Sequence, residues 1–185
     1  MELNDSYTHP KSEDMVMGHV ERLSDEGILP HGELDIIVKE FHGTDLQAGE
    51  VVDHRTYKNL IVNRAREALA KLISAGTPSE VLTLLKLGDG HHAPGDILTP
   101  IPPVVTETAL ENLTYSHAID SYNYPIPTTV EFVTTILRSE GNGSGYSVWT
   151  EFGLFSVSGM FSIKSAPALV KNSDREIIFR WRIVF

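Results

Sequence analysis

The strongest constraint on the fold is an alternating pattern in the segment Ile177–Phe185. One set of alternate positions carries Ile177, Phe179, Trp181, Ile183 and Phe185, and the other carries Ile178, Arg180, Arg182 and Val184. Since successive side chains of a strand point to opposite faces, the pattern predicts a strand with one buried apolar face. Its arginine-bearing face is expected to meet water or an acidic partner surface.

Further strands are predicted by short apolar or alternating segments that glycine and proline separate. They are Val81–Leu87, Leu113–Asp120, Thr129–Leu137, Ser147–Val157, Met160–Lys164 and Glu176–Phe185. The segment His91–Pro103 contains four prolines. Because proline cannot donate to a β-ladder, we expect an extended surface loop there, outside any sheet.

One helix is predicted ahead of these strands, from Tyr57 to Ile73. Apolar residues recur at helical spacing at Tyr57, Leu60, Ile61, Ala65, Ala68, Leu69, Leu72 and Ile73. Gly76 and Pro78 are expected to end the helix. The predicted fold class is therefore α+β: a mainly antiparallel, sandwich-like β domain packed on one long amphipathic helix. The apolar face of the last strand is expected to pack on that helix.

Charge is distributed unevenly along the chain. Residues 1–50 carry 12 acidic and 3 basic side chains, whereas residues 51–185 carry 13 and 12. We therefore predict two parts: an extended acidic N-terminal arm or linker over 1–50, and the helix plus β domain over 51–185. Such an arm repels phosphates, which argues against nucleic-acid binding. Two interpretations stay open, a solvated arm or an arm that docks on a basic surface of a neighbouring subunit.

Within the arm, two segments have local patterns. Met15–Leu23 could form a short helix, and Leu34–Phe41 is a candidate strand without a nearby partner in sequence. Such a strand must pair with another element or another chain. Leu34, Ile36 and Val38 are therefore candidate assembly residues, together with Arg180 and Arg182 of the last strand.

Composition excludes several classes of protein. The chain has 185 residues and 41% hydrophobic content, enough for one good core. It has no cysteine, so disulfides and thiolate metal sites are excluded, as is typical of a protein that folds in a reducing cytosol. No apolar stretch approaches the ~18–20 residues of a membrane helix, and the first residues lack the pattern of a secretory signal. We expect a soluble intracellular product without membrane contact.

Candidate catalytic and binding motifs are weak. The pair His91-His92 beside Asp89 lacks a third spaced ligand, so no metal is predicted. Gly141–Gly145 resembles a phosphate loop only superficially, because no Lys-Ser/Thr follows it. Glu151 is a candidate for a partly buried carboxylate, because Trp149, Phe152 and Phe155 surround it in sequence. A glutamate of this kind most often caps backbone N–H groups or faces solvent. No catalytic residue and no cofactor are predicted.

Two further functional classes each depend on a particular set of side chains. A glycan hydrolase needs paired carboxylates across a cleft, and Glu131 and Glu151 are the only strand candidates. A carbohydrate-binding β module needs exposed, coplanar aromatic rings for sugar stacking. The candidates for such a surface are Tyr115, Tyr122, Tyr124 and Trp149, for which core or interface packing is the competing interpretation.

Glycines mark the turn that most characterises the chain, Leu87-Gly88-Asp89-Gly90. Gly88 and Gly90 are expected to permit positive φ around Asp89 at a tight strand exit. Gly153, within a strand, indicates a bulge or a close backbone approach. Gly88, Asp89, Gly90 and Gly153 are therefore predicted structural positions.

The order of these motifs resembles that of a known family. A helix precedes a strand ending in Gly-Asp-Gly, then a proline-bearing loop, the segment Thr108-Ala109-Leu110-Glu111-Asn112, and Glu-Phe-Gly-Leu-Phe at Glu151–Phe155. This order, over about Tyr57 to Lys171, resembles the N-terminal domain of bacteriophage tail-collar fibre proteins and related tail and baseplate proteins. The resemblance implies a virion structural role without catalytic residues.

The resemblance also sets expectations about partners and location. Members of that family generally continue into a fibre shaft and a receptor-binding tip, whereas this sequence stops at Phe185 and adds the acidic arm. An adaptor or anchoring subunit of a collar or baseplate is therefore expected. Its partners would be other tail, baseplate or collar proteins and fibre subunits, with homo-oligomers in a virion assembled in the host cytoplasm.

Overall fold

A curled antiparallel sheet, shaped like half of a barrel, forms most of the molecule. The computed structural model describes residues 30–42 and 49–185. Strands account for 61% of the described residues and helices for 11%. The strands are β1 (His31–Glu40), β2 (Glu50–Ile61), β3 (Leu82–Gly88), β4 (His92–Ala93), β5 (Asp96–Pro100), β6 (Leu113–Ala118), β7 (Ser121–Ile126), β8 (Thr129–Ile136), β9 (Tyr146–Ser156), β10 (Gly159–Asn172) and β11 (Arg175–Val184). Helix α1 (Asn63–Ala75) and a 3₁₀ helix (Pro78–Glu80) lie between β2 and β3.

Nine strands make the main sheet, in the order β6-β3-β9-β10-β2-β1-β11-β8-β7. Neighbouring strands in this order all pair antiparallel. The ladder between β10 and β2 is short, with Ser162 opposite Ile61 and Ile163 opposite Leu60. The sheet thus consists of a first half, β6-β3-β9-β10, and a second half, β2-β1-β11-β8-β7, which are joined by this short ladder.

Strand β1 lies near the centre of the sheet. It pairs with β2 on one side and with β11 on the other, over nearly its whole length. Alternate residues of β1 are buried, as its weak apolar alternation indicated. Residues 31–40 therefore belong to the folded sheet, and a boundary at residue 50 separates two strands that pair with each other. The candidate helix Met15–Leu23 lies outside the described residues.

The predicted packing on one long helix is wrong. Residues Tyr57–Ile61 continue strand β2, and α1 begins only at Asn63, after Val62. The helix has 13 residues and buries only Ala65 and Ala68, while Ile73 is 85% exposed. It packs chiefly against β10 and the 3₁₀ helix. The helix was predicted too long because the first three apolar residues at helical spacing, Tyr57, Leu60 and Ile61, belong to strand β2.

The core fills the inside of the curled sheet instead. Its largest buried side chains include Trp149, Phe152, Phe179 and Trp181, and the rings of Phe152 and Phe179 lie 5.9 Å apart. Ile177, Phe179, Trp181 and Ile183 of β11 are buried in this core, as their alternation predicted, whereas Phe185 is about half exposed. Curvature lets one sheet enclose apolar side chains that a sandwich would bury between two sheets.

The predicted strands are confirmed, with small shifts at their ends. The largest difference is β10, which runs to Asn172 instead of ending at Lys164. The proline-bearing segment lies outside the main sheet, as expected, but it forms a small two-stranded sheet from β4 and β5. No helix within the described residues is long and apolar enough to cross a membrane.

Candidate functional site

The most distinctive polar site of the molecule is built around the carboxylate of Glu151. This residue lies on β9 in the first half of the sheet and is 0% exposed. An ionised carboxylate at such a position is costly unless hydrogen bonds replace its water. The structure supplies those bonds from two segments that are distant in sequence, residues 89–91 and 107–112. We call these residues and Glu151 the Glu151 cluster.

Three backbone N–H groups donate to the Glu151 carboxylate. Asn112 N–H donates to Oε1 at 2.8 Å, Glu111 N–H to Oε2 at 2.9 Å, and Gly90 N–H to Oε1 at 3.3 Å. Hydrogen bonds from backbone amides to a charged acceptor are among the stronger ones in proteins. Glu151 therefore caps the backbone, the more common of the roles considered for it, but from a fully buried position.

The side chain of His91 also belongs to the cluster. Its Nδ1 lies 2.7 Å from Glu151 Oε2, and its Nε2 lies 3.0 Å from Glu107 Oε2. Partial burial lowers the pKa of His91, but the two carboxylates outweigh that effect and raise the pKa above its ordinary 6.5. The imidazole thus bridges the two carboxylates, while Glu111 accepts the His91 backbone N–H at 2.6 Å.

Gly88 and Gly90 are required by close contact with this carboxylate. A Cβ at Gly88 would collide with Glu151 Oε1, and one at Gly90 would lie 2.6 Å from Glu111 Cβ. The expected positive φ at these glycines is wrong: the left-handed residue of the turn is His91, with φ 54°. Asp89 accepts a hydrogen bond from the Asn112 side-chain amide, which fastens the turn to the next segment.

Gly153 has a similar explanation two residues further along β9. A Cβ there would lie 2.5 Å from the ring of Phe155 and 3.0 Å from Leu110. The close neighbours of Gly153 are therefore side chains and not another backbone, and the absence of a Cβ lets Leu110 of the 108–112 segment pack beside Phe155. Three motifs that are far apart in sequence consequently meet at one place: Gly88–Gly90, Thr108–Asn112 and Glu151–Phe155.

The chemical capacity of the Glu151 cluster is limited by its own bonds. Both ring nitrogens of His91 face carboxylates, and the neighbouring hydroxyl of Thr150 donates to Gly90 O at 2.6 Å. General-base catalysis requires a nitrogen within reach of a substrate proton. Here the imidazole and the carboxylates bind and orient one another. They thereby link residues 89–91, residues 107–112 and strand β9.

The second histidine of the pair does not join the cluster. His92 Nδ1 lies 2.9 Å from Ala93 O, within its own loop. Among the described residues, no group of three or more histidine, cysteine or acidic side chains is arranged to hold a metal ion.

The carboxylate pair considered for a hydrolase is not brought together. Glu131 lies on β8 and Glu151 on β9, and four strands separate β8 from β9 in the sheet. Glu131 binds Arg182, with 2.7 Å between Oε2 and Nε. The two carboxylates thus belong to different ion-pair networks.

The two candidate assembly arginines differ in their surroundings. Arg182 lies 3.0 Å from Asp35 and 3.9 Å from Glu33 on β1, besides its contact with Glu131. We call these four residues the Arg182 network. Arg180 is exposed on the same face of β11. The acidic groups that neutralise Arg182 are thus supplied by its own chain, and Arg180 is the freer of the two to meet a partner.

The apolar candidates for assembly lie inside the molecule. Leu34, Ile36 and Val38 are at most 2% exposed and belong to the main core. Their side chains point to the inside of the curled sheet, so within the described chain they pack against β11 and β2 neighbours and not against a surface partner.

The aromatic side chains considered for sugar stacking are divided between core and surface. Tyr115 stacks on Trp149 with ring centroids 5.7 Å apart, but Trp149 is fully buried. Tyr122 and Tyr124 are exposed, yet their rings meet edge to face at 78°. Neither pair offers the exposed coplanar platform that a sugar ring requires.

Tyr122 and Tyr124 instead border an apolar groove of about 410 Å³. Its walls come from α1, the start of β3, the β7–β8 hairpin and the end of β11, and include Leu69, Leu72, Val81, Phe132, Ile183 and Phe185. We call it the apolar groove. Periodicity did not predict it, because it is assembled from segments that are distant in sequence.

Sequence reasoning also missed the roles of His91, Glu107 and Glu111 in the Glu151 cluster. Each is a common surface residue type, and only the fold places them around one carboxylate. No protein-family model, curated protein or solved structure significantly matches this chain.

Proposed function

We propose that this protein is a non-enzymatic structural subunit of a phage virion, an adaptor or anchoring subunit for fibres in a tail, collar or baseplate. One observation carries the proposal. The three short motifs that resemble tail-collar fibre proteins meet at the buried Glu151 carboxylate, although 18 to 39 positions separate them in sequence. Because the three motifs build one polar centre, their occurrence in one chain has a structural reason.

The bonding of that centre supports a structural role. Glu151 is saturated by backbone donors and His91, and its neighbours Gly88, Gly90 and Gly153 serve close packing. Such a centre stiffens the first half of the sheet, because three segments become mutually dependent. Stiffness of this kind suits a subunit that transmits load between a tail and a fibre.

A protein partner is supported by an exposed apolar surface next to the β4–β5 hairpin. Ile97, Leu98, Ile101, Val104 and Val105 are all substantially exposed. Large exposed apolar side chains that cluster within one segment often belong to protein interfaces. We infer that this surface, with the exposed Arg180, contacts other tail, collar or baseplate proteins, fibre subunits or further copies of the chain.

The proposal is tested on particles from a phage that encodes this protein. We expect mass spectrometry and immunogold labelling to find the protein at the tail, collar or baseplate of purified virions. Its absence from purified particles, with the protein remaining free in lysates, would contradict the proposal.

A pair of variants tests the proposed contact surface in the same system. Leu98→Asp should reduce incorporation into particles by about tenfold, since about 1.4 kcal/mol of lost contact energy changes an equilibrium by that factor. Val157→Asp is the matched control, because Val157 is also largely exposed, 76% against 66% for Leu98, but lies on the β9–β10 turn. Equal incorporation of both variants would contradict this assignment of the surface.

A further inference from the structure

The apolar groove is open, and the chain that precedes β1 emerges beside it. His31, the first residue of β1, is opposite Val184 in the β1–β11 ladder. Val184 lies between Ile183 and Phe185, both of which line the groove. Residues before Pro30 therefore continue from a point within one strand spacing of the groove, at the end of the sheet where the groove lies.

The preceding sequence has the composition of a groove ligand. Residues 15–29 contain seven apolar side chains, Met15, Val16, Met17, Val20, Leu23, Ile28 and Leu29. Residues 1–14 contain only Met1, Leu3 and Tyr7. Because an extended chain spans at most ~3.3–3.6 Å per residue, the seven peptide steps from Leu23 to Pro30 can reach about 23–25 Å, about five strand spacings.

The charges on the two sides are complementary. Segment 15–29 carries Glu21, Asp25 and Glu26 against one arginine. Helix α1, which forms one wall, carries Arg64, Arg66 and Lys71 against Glu67. Arg64 and Lys71 both pair with the buried groove residue Glu80. One carboxylate thus faces two cations, and Lys71, whose side chain is 53% exposed, and the exposed Arg66 remain accessible to acidic side chains.

We propose that residues 15–29 of the same chain bind in the apolar groove, with their apolar side chains against Tyr124, Val81 and Phe185. This occupant accounts for an open apolar surface directly beside the exit point of an apolar, acidic segment. Burial of exposed tyrosine, valine and phenylalanine side chains drives the contact. The acidic side chains of the segment lie toward α1.

The absence of cysteine from the natural chain permits a clean test by thiol labelling. Tyr124→Cys places the chain's one thiol at the groove. Tyr146→Cys is a matched control, since both tyrosines lie in strands and their exposures are similar, 68% for Tyr124 and 66% for Tyr146. Tyr146 begins β9, whereas the far end of β9, Ser156, pairs with the groove residue Leu82.

Labelling rates are compared in the full chain and in a chain lacking residues 1–29, which retains all described strands. We expect the truncation to accelerate labelling of Tyr124→Cys about tenfold, the factor for a segment bound nine-tenths of the time, and to leave Tyr146→Cys unchanged. Val20→Asp with Leu23→Asp in the full chain should reproduce the acceleration. Equal Tyr124→Cys rates in both chains would overturn the proposal. Protection that appears only as protein concentration rises would also overturn it, since the occupant would then be a second copy.

Discussion

The two halves of the sheet handle charge in opposite ways. In the first half, the Glu151 carboxylate is fully buried and is held by backbone N–H groups and His91. In the second half, the Arg182 network is partly exposed, with 28% of the Arg182 side chain and 42% of the Glu33 side chain accessible, and side chains pair with side chains across β1, β11 and β8. Water can therefore reach Arg182 and Glu33, whereas it does not reach Glu151.

The comparison teaches that similar residue types have different consequences in the two halves. A buried charge with backbone partners specifies how separate segments meet, because any other arrangement leaves several donors without acceptors. A partly exposed network of side chains contributes less to stability, because water competes for its charges. The motifs that carry the family resemblance meet in the first half, and the predicted assembly arginines lie in the second.

The largest effect is expected from removing β1, on which the second half depends. A chain lacking residues 1–41 loses the strand between β2 and β11 and the buried side chains Leu34, Ile36 and Val38. We expect no cooperative unfolding transition in urea, as followed by circular dichroism. A chain lacking only residues 1–29 is the control and should unfold cooperatively. A cooperative transition in the shorter chain would show that the first half folds without β1.

Next in size is the loss of the buried carboxylate. Glu151→Ala should lower the free energy of unfolding by about 3–5 kcal/mol, because it leaves three backbone donors and His91 without their acceptor. Glu33→Ala, in the Arg182 network, should cost about 1 kcal/mol or less, because the Glu33 side chain is 42% exposed to water. Urea denaturation of both variants measures the difference. Equal losses would remove the contrast between the halves.

Charge reversal separates the two arginines of β11. Arg182→Glu places a carboxylate among Glu33, Asp35 and Glu131, and we expect a loss of about 1–2 kcal/mol by urea denaturation. Arg180→Glu should leave the free energy of unfolding within about 0.5 kcal/mol of the natural chain. If Arg180 contacts a partner, its variant alone should impair assembly without loss of stability. A larger stability loss for Arg180→Glu would reverse these roles.

The smallest expected effect is a dependence on pH in the first half. The pKa of His91 is raised in the folded chain above 6.5, so its contribution is complete below about pH 6.5 and is lost as pH rises through the folded pKa. His91→Gln should therefore destabilise the protein by about 1 kcal/mol at pH 6 and less at pH 9.

The neighbouring residue provides the control for this measurement. His92→Gln removes an imidazole whose hydrogen bond is to Ala93 O of its own loop, and it should leave the pH dependence of melting temperature unchanged. A His91→Gln variant with the same pH dependence as the natural chain would show that the imidazolium does not stabilise the Glu151 cluster.

Much of the secondary structure was predictable from local pattern. Alternation at Ile177–Ile183 identified β11 and its buried face, and β1 was visible as a weakly alternating segment. An alternating pattern arises whenever one side of a strand is buried, so a short stretch of sequence is enough to reveal it. The helix was less predictable, because Tyr57, Leu60 and Ile61 fit helical spacing while they extend β2.

Tertiary structure decided where those elements meet. Leu34, Ile36 and Val38 had an apolar pattern that fits either an interface or a core, and only the position of β1 between β2 and β11 makes them core. His91, Glu107 and Glu151 became one cluster, and α1, β7 and β11 became one groove, through contacts between residues distant in sequence. The sequence by itself determined most strands of the sheet, including β11 and its buried face, because alternation follows from neighbouring residues. The curled sheet, the Glu151 cluster and the apolar groove required the fold, because burial and partnership depend on residues that local pattern does not relate.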